Sequence, residues 1–204
     1  MVFAVDLNDV VRDYTSNFVR YYHDLYDREF DLNTVDVWTN QLSAVFPFAS
    51  EMAYQRFVYE QNPYELFAKA ETTSRNLSTY FQKWIRETIP NLDSKEKIDV
   101  IIVSPFEYGA SIQATLIFLS KLGCLAREYY FPEDSVTIWD KCDVLITANP
   151  DLIRCKPEGK VSVQIKAEYN KDISGDYIYS SFEKFIKDEN VLKEIVEKHQ
   201  KASV

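Results

Sequence analysis

The sequence predicts an α/β fold in which a parallel sheet of five or six strands is flanked by helices and carries a helical insert. Short apolar runs bounded by turn residues alternate with segments of helical periodicity, which is typical of parallel strands joined by crossover helices. The first run, Val2–Asp6, leads four apolar residues into an aspartate, as buried parallel strands do at the sheet edge where sites form. Residues 27–91, by contrast, hold no convincing strand, and this predicts the insert.

The other elements follow from the same two patterns. Apolar runs predict further strands at 98–103, 126–131, 143–147, 161–165 and, for a short sixth strand, 176–180. Helical spacing of apolar residues predicts helices at 10–26, 52–59, 64–70, 77–89 and 111–122, and a terminal helix from 182 onward. Gly123 is expected to end the helix that precedes it. The predicted core therefore comprises residues 1–14 and 96–204, and the predicted helical cap insert comprises residues 15–95.

Composition describes a folded chain with an acidic surface. At 204 residues, with 46% hydrophobic and 27% charged residues, the chain can bury a core and does not belong to the disordered class. No apolar run approaches the ~20 residues that a membrane span needs, and we expect no signal peptide and no membrane partner. The net charge of −9 disfavours nucleic acid as a partner.

Cysteine usage suggests a reducing compartment. The three cysteines, Cys124, Cys142 and Cys155, are an odd number without metal-like spacing, so we expect buried free thiols. The expected location is the cytoplasm or a macromolecular assembly rather than a secreted environment.

Several segments together resemble one protein family. The apolar strand ending in Asp6-Leu7-Asn8 resembles the first motif, Asp-x-Asp, of the haloacid dehalogenase-like (HAD) superfamily. The stretch from Asp143 through Asn149-Pro150 is similar to its fourth motif. The segment beginning at Asn62-Pro63 and the Tyr169-Asn170 pair resemble deoxyribonucleotidase-like phosphohydrolases of that superfamily. The resemblance implies a HAD-like (Rossmannoid) core and places Asp6 on the position of the phosphatase nucleophile.

Phosphoryl transfer of this kind needs a second carboxylic acid close to the nucleophile. That acid protonates the leaving oxygen and later activates water, and the resemblance places Asn8 in its position. An amide exchanges no proton near neutral pH, and loss of acid–base help alone lowers the rate by roughly 10²–10⁴. Asp9 is a doubtful substitute, because successive residues of an extended chain point to opposite faces. Ser104, after the second strand, matches the hydroxyl that would bind a phosphoryl oxygen.

The lysine and the metal-binding acids that this chemistry also needs are poorly matched in the sequence. Where relatives have a lysine, this chain has Glu133-Asp134-Ser135, and Lys141 is the nearest substitute. Where relatives have two metal-binding acids, it has Thr147 and Ala148, which leaves Asp6 as a weak metal ligand and Asn149 as a binding residue. Asp151 is expected to cap the next helix. Without a cation, a charge on Asp6 and a charge on phosphate at 4 Å repel by roughly 4 kcal/mol at an effective dielectric constant near 20.

The sequence therefore favours a catalytically degenerate HAD-fold protein that acts through protein–protein contacts or as a homo-oligomer, without a cofactor. A structural or assembly role, for example in a virion, is one such function. The expected contact residues are aromatic side chains of the insert, namely Trp38, Tyr54, Tyr59 and Tyr64. These rings can equally pack within the interface between the insert and the core. Two alternatives stay open: a Mg²⁺-dependent nucleotidase-like phosphohydrolase with Asp6 as nucleophile, and a phosphate-binding module without turnover.

Overall fold

The computed structural model describes residues 1–25 and 39–202 and has a six-stranded, all-parallel sheet at its centre. The strands are β1 (Val2–Asp6), β2 (Asp99–Val103), β3 (Glu128–Tyr130), β4 (Val144–Thr147), β5 (Val161–Ile165) and β6 (Tyr177–Tyr179). Their order across the sheet is β3-β2-β1-β4-β5-β6. The α/β class and the strands expected from the sequence are confirmed, including the short sixth strand.

The helices connect and cover these strands. The α-helices are α1 (Tyr14–Leu25), α2 (Leu42–Val45), α3 (Glu51–Gln55), α4 (Leu77–Lys83), α5 (Ala110–Leu122), α6 (Ile138–Lys141), α7 (Pro150–Arg154), α8 (Phe182–Ile186) and α9 (Glu189–Ala202). Three π-helical segments, Arg56–Gln61, Tyr64–Ala68 and Trp84–Thr88, extend the helical structure of the middle of the chain. The sequence predicted one terminal helix, but the structure has two, because the chain turns between Ile186 and Glu189.

Strand β1 lies in the middle of the sheet and fixes where a site can form. It pairs in parallel with β2 on one side and β4 on the other, and Phe3, Ala4 and Val5 are fully buried. The chain passes from β1 to β2 on one side and reaches β4 on the opposite side. Such a reversal of strand order opens a crevice at the carboxyl ends of the strands, here between β1 and β4.

Each face of the sheet has its own apolar layer. On one face, Phe3 and Val5 pack with Phe81 and Trp84 and with residues of α8 and α9. On the other face, Ala4 and neighbouring strand residues pack against α6 and Leu152. The segment 77–92, which the sequence placed in the insert, thus contributes to the layer that covers β1.

The insert has a separate aromatic cluster, which extends from Tyr14 to Ala68 and reaches Ala114 of α5. Tyr54 and Tyr59, expected as contact residues, are partly buried and pack against this cluster. Tyr64 is 47% exposed, and Trp38 lies outside the described residues. Between residues 39 and 91 the described chain contains no strand, only an isolated bridge from Arg12 to Thr72.

Gly123 ends α5 as predicted. Its φ is +68°, and its amide donates to carbonyl oxygens of the last helical turn. The three cysteines are free thiols, but only Cys142 is buried; Cys155 follows the last turn of α7 and is exposed, so the expectation of buried thiols is wrong for it. Across the described ranges, no helix combines the length and the apolar character required to cross a membrane.

Candidate functional site

A cavity of about 620 Å³ opens at the carboxyl ends of the central strands. Asp6 at the end of β1 and Asn149 after β4 contribute to its wall, as does the turn that contains Asn8 and Asp9. The insert also contributes to the wall, with Tyr54 and Tyr59 among its lining residues. Four of the site residues that the sequence indicated therefore border one cavity, whose size is typical of small-molecule sites.

Asp6 is almost completely buried, with 3% of its surface exposed. Its Oδ2 accepts a 2.7 Å hydrogen bond from the Thr147 hydroxyl, whereas its Oδ1 is buried and has no hydrogen-bond partner in the described part of the chain. Burial raises the pKa of Asp6 to about 7, although the hydrogen bond from Thr147 and the nearby Leu7 amide favour the charged form. A carboxyl with this pKa is partly protonated at neutral pH.

Asn8 is held by the arginine one turn further along the chain. Its Oδ1 accepts hydrogen bonds from Arg12 Nε at 3.0 Å and from Arg12 Nη2 at 2.6 Å. Arg12 is fully buried, and the Phe67 ring lies 4.6 Å from the centre of its guanidinium group. The amide oxygen of Asn8 is therefore engaged with a fixed cation, and Asn8 has no proton to give to a leaving group.

Glu107 completes this network and also engages Ser104. Arg12 Nη2 lies 2.7 Å from Glu107 Oε1, and both side chains are at most 1% exposed. The Ser104 hydroxyl donates to the same Oε1 at 2.5 Å, and the Thr115 hydroxyl donates to Oε2. Arg12 Nη1 in turn donates to Thr115 at 2.6 Å. The Ser104 hydrogen that would contact a phosphoryl oxygen is thus already donated within the protein.

Asp9 lies beside Asp6 in the cavity lining because the extended chain ends before it. The expected extended conformation of residues 6–9 is wrong, since β1 ends at Asp6 and Asp9 has φ +59°. The Asp9 carboxylate accepts from the Thr15 amide at 2.8 Å, from the Thr15 hydroxyl at 2.5 Å and from the Tyr169 hydroxyl at 2.7 Å. Burial nevertheless raises its pKa.

After β4, the helix cap is Asn149 and not Asp151 as expected. Asn149 Oδ1 accepts from the Asp151 amide at 2.9 Å and from Asn40 Nδ2 at 3.1 Å. Proline at position 150 places the first helical turn directly after Asn149, so Asp151 falls inside that turn and pairs with Arg154 at 3.0 Å.

Lys141 does not reach the cavity. It is the last residue of α6, and its Nζ lies 5.6 Å from the centre of the Tyr130 ring. Glu133 and Ser135 line the cavity instead, at the position where the resemblance expects a lysine.

The described lining is acidic. It includes six acidic side chains and no lysine, arginine or histidine, the acids being Asp6, Asp9, Glu51, Glu107, Glu133 and Asp151. Glu107 and Asp151 pair with arginines, and the other four make no ion pair within the described residues. In the ranges 1–25 and 39–202, no three His, Cys, Asp or Glu side chains converge to hold a metal ion.

Sequence reasoning missed the Arg12–Glu107 pair and the role of Tyr169. The available signal was Arg12, which follows Val10-Val11 four residues after Asn8. A charge within an apolar segment needs a buried partner, so this arginine indicated a buried ion pair. Nothing in the sequence identified Glu107 as that partner, since 95 residues separate the two.

Comparisons with known proteins add no assignment. No protein-family model matches the sequence, and no curated protein matches it significantly.

Proposed function

We propose that this chain is a non-catalytic protein of HAD-like architecture, in which the cavity at the sheet edge binds a ligand and does not cleave phosphoesters. One observation carries the proposal: the described cavity lining has six acidic side chains and no basic one. A phosphate dianion entering it would meet like charges without the lysine or metal that phosphatases use to offset them.

The hydrogen bonds around Asp6 support the same conclusion. Asn8 and Ser104, which the resemblance places beside the nucleophile, are both held by the buried Arg12–Glu107 pair. Asp6 itself has a pKa near 7, and a carboxyl that is partly protonated is a weaker nucleophile than a carboxylate. These features argue against both phosphate-dependent alternatives.

A phosphatase assay tests the proposal. The purified protein is incubated with an aryl phosphate and with a panel of nucleoside monophosphates, with and without Mg²⁺. We expect no turnover that differs between the native chain and Asp6→Asn. Mg²⁺-dependent turnover that disappears in Asp6→Asn but persists in Asp140→Asn, an exposed aspartate away from the cavity, would overturn the proposal.

Protein–protein contact is a second candidate function, favoured by exposed aromatic side chains at the rim. Phe106 is 51% exposed and Tyr108 is 47% exposed, and both border the cavity. Phe106 also has φ +67°, an uncommon conformation for a bulky residue. Substitution of Phe106 by Ser should weaken self-association or partner binding in sedimentation experiments if this surface is a contact, and should leave monomer folding intact.

A further inference from the structure

The charge of the cavity indicates which ligands it can accept. Asp6, Asp9, Glu51 and Glu133 line it without an ion pair in the described residues, and no described basic side chain lines it. Since like charges repel and opposite charges attract most strongly in a partly enclosed site, such a cavity disfavours anions and favours a cation.

A buried oxygen without a partner specifies the ligand more closely. Asp6 Oδ1 has no hydrogen-bond donor in the described structure, although only 3% of the Asp6 surface is exposed. A buried acceptor that lacks a donor is costly, so a ligand that supplies an N–H group to this carboxyl gains a favourable hydrogen bond. A primary ammonium group carries three such hydrogens and a positive charge.

Aromatic side chains form much of the remaining wall. The lining includes Tyr14, Tyr54, Tyr59, Phe106, Tyr108 and Tyr169. Tyr59 and Tyr108 lie with ring centres 5.1 Å apart. Aromatic rings attract cations and also pack against apolar carbon, so the wall suits an ammonium group attached to an apolar body. The volume of about 620 Å³ accommodates a molecule of that size.

From these three features we infer that the cavity binds a primary organic amine in its ammonium form, whose N–H groups donate to the Asp6 carboxyl while its apolar body contacts the tyrosine-rich wall. This inference deepens the proposed function, because it names the ligand class of the same cavity.

Calorimetric titration tests the inference with two matched probes. 2-Phenylethylamine has a primary ammonium group, and its N,N,N-trimethyl analogue has the same charge and ring but no N–H group. We expect saturable binding of the primary amine at one site and binding of the analogue that is about tenfold to a hundredfold weaker, as loss of one charge-assisted hydrogen bond implies. Equal affinities for the two probes would overturn the inference.

Variants locate the binding. Asp6→Asn should weaken binding of the primary amine by at least about tenfold, and Asp140→Asn, the same change outside the cavity, should leave it unchanged. Glu51→Gln alters an exposed lining residue without disturbing the core, so it should lower the affinity modestly even if Asp6→Asn folds poorly. Native affinity in both Asp6→Asn and Glu51→Gln would overturn the inference, as would the absence of saturable binding.

The two proposals fail in different ways. Binding of adenosine monophosphate in preference to the amine would overturn the ligand class but would leave the non-catalytic assignment intact. Turnover of phosphate esters would overturn that assignment and is measured separately.

Discussion

The guanidinium group of Arg12 joins three side chains that come from separate parts of the chain. It donates to Asn8 in the turn after β1, to Glu107 before α5 and to Thr115 within α5. All of these contacts are buried or partly buried, so none can be replaced by water without rearrangement. A buried ion pair of this kind adds little net stability by itself, but loss of one partner leaves the other charge uncompensated.

Replacement of Arg12 by Met should therefore destabilise the fold strongly. We expect the free energy of unfolding to fall by about 3–5 kcal/mol, because Glu107 would remain buried without its cation. Urea denaturation followed by tryptophan fluorescence measures the change. The double variant Arg12→Met, Glu107→Gln should regain part of the lost free energy of unfolding, since it also removes the unpaired Glu107 carboxylate. A single variant within about 1 kcal/mol of the native protein would contradict the role given to the pair.

Asp6 should make stability depend on pH. Its pKa is about 7 in the folded chain against 3.8 for an unperturbed aspartate, so the folded state holds the proton over a range where the unfolded state has released it. The contribution of Asp6 to stability is fully present below pH 4 and is lost as pH rises toward and through 7. Asp9 shifts in the same direction.

The measurement compares the native chain with Asp6→Asn at pH 5 and pH 8. We expect the variant to gain stability relative to the native protein at pH 8, because an amide cannot ionise, and to gain less at pH 5. A difference between the two proteins that does not change with pH would show that Asp6 does not titrate in this range.

At the residue scale, the sequence identified the end of β1 but not the contacts made there. Asp6, Asn8 and Asn149 could be placed at one edge because strand ends are readable from apolar runs. The position of Asp9 depends on a positive φ that no residue type specifies, and the Arg12–Glu107 pair depends on chain segments far apart in sequence. Long-range side-chain pairing therefore decided the chemistry of the site, and local pattern does not encode it.

At the scale of elements, the junction after α5 depends on a residue without a side chain. Gly123 has φ +68°, and a Cβ there would lie 2.4 Å from Gln82 Nε2. Gln82 Nε2 in turn donates to Ser78 and to the carbonyl of Leu122, which links α4 to the end of α5. The glycine thus serves both the turn and the packing of two helices.

Alanine substitution separates these two roles. Gly123→Ala should destabilise the fold by more than Gly159→Ala, which has φ +80° but no atom within 4 Å of the added Cβ. The left-handed strain, about 1–2 kcal/mol, is common to both, and only Gly123→Ala also displaces Gln82. Thermal unfolding of the two variants gives the comparison. Equal losses would mean that Gln82 moves aside without cost.

Element positions were easier to predict than their extents. Apolar runs located the four inner strands, since buried parallel strands are almost continuously hydrophobic. The edge strands β3 and β6 have no buried residue and were found from shorter runs of tyrosine and isoleucine. Segment 77–92 was harder to assign, because its helical pattern is the same whether it covers the insert or the sheet. The contact of the Trp84 ring with Phe3 of β1 places it beside the sheet, as do the contacts of Phe81 and Trp84 with Phe182.

At the scale of the whole molecule, three separate apolar clusters hold different parts of the chain. Two cover the two faces of the sheet, and the third, centred on Phe18, holds the insert and contacts α5. Phe18 packs against the rings of Phe46 and Phe57 at centroid distances of 5.0 and 5.9 Å. Because few residues are shared between the clusters, the insert should be able to open while the sheet remains folded.

Hydrogen exchange of Phe18→Ala tests this separation. The variant should lose about 3–5 kcal/mol of local stability, because a buried ring is removed. Amides of residues 42–68 should then exchange faster, while those of β1 and β4 keep their protection. Leu25→Ala, at a side chain that is 63% exposed, is the matched control and should change little. Uniform acceleration across the sheet and the insert would mean that the clusters unfold together.

The contact between Asn8 and Arg12 limits what a substitution at position 8 can achieve. Asn8→Asp would place a carboxyl there, but the adjacent guanidinium would keep it ionised and so deprive it of the proton that an acid catalyst must deliver. Removal of Arg12 would free that carboxyl from the guanidinium, but it would leave Glu107 buried without a cation. An acid catalyst at position 8 would therefore require changes at Asn8, Arg12 and Glu107 together, so no single substitution can supply one.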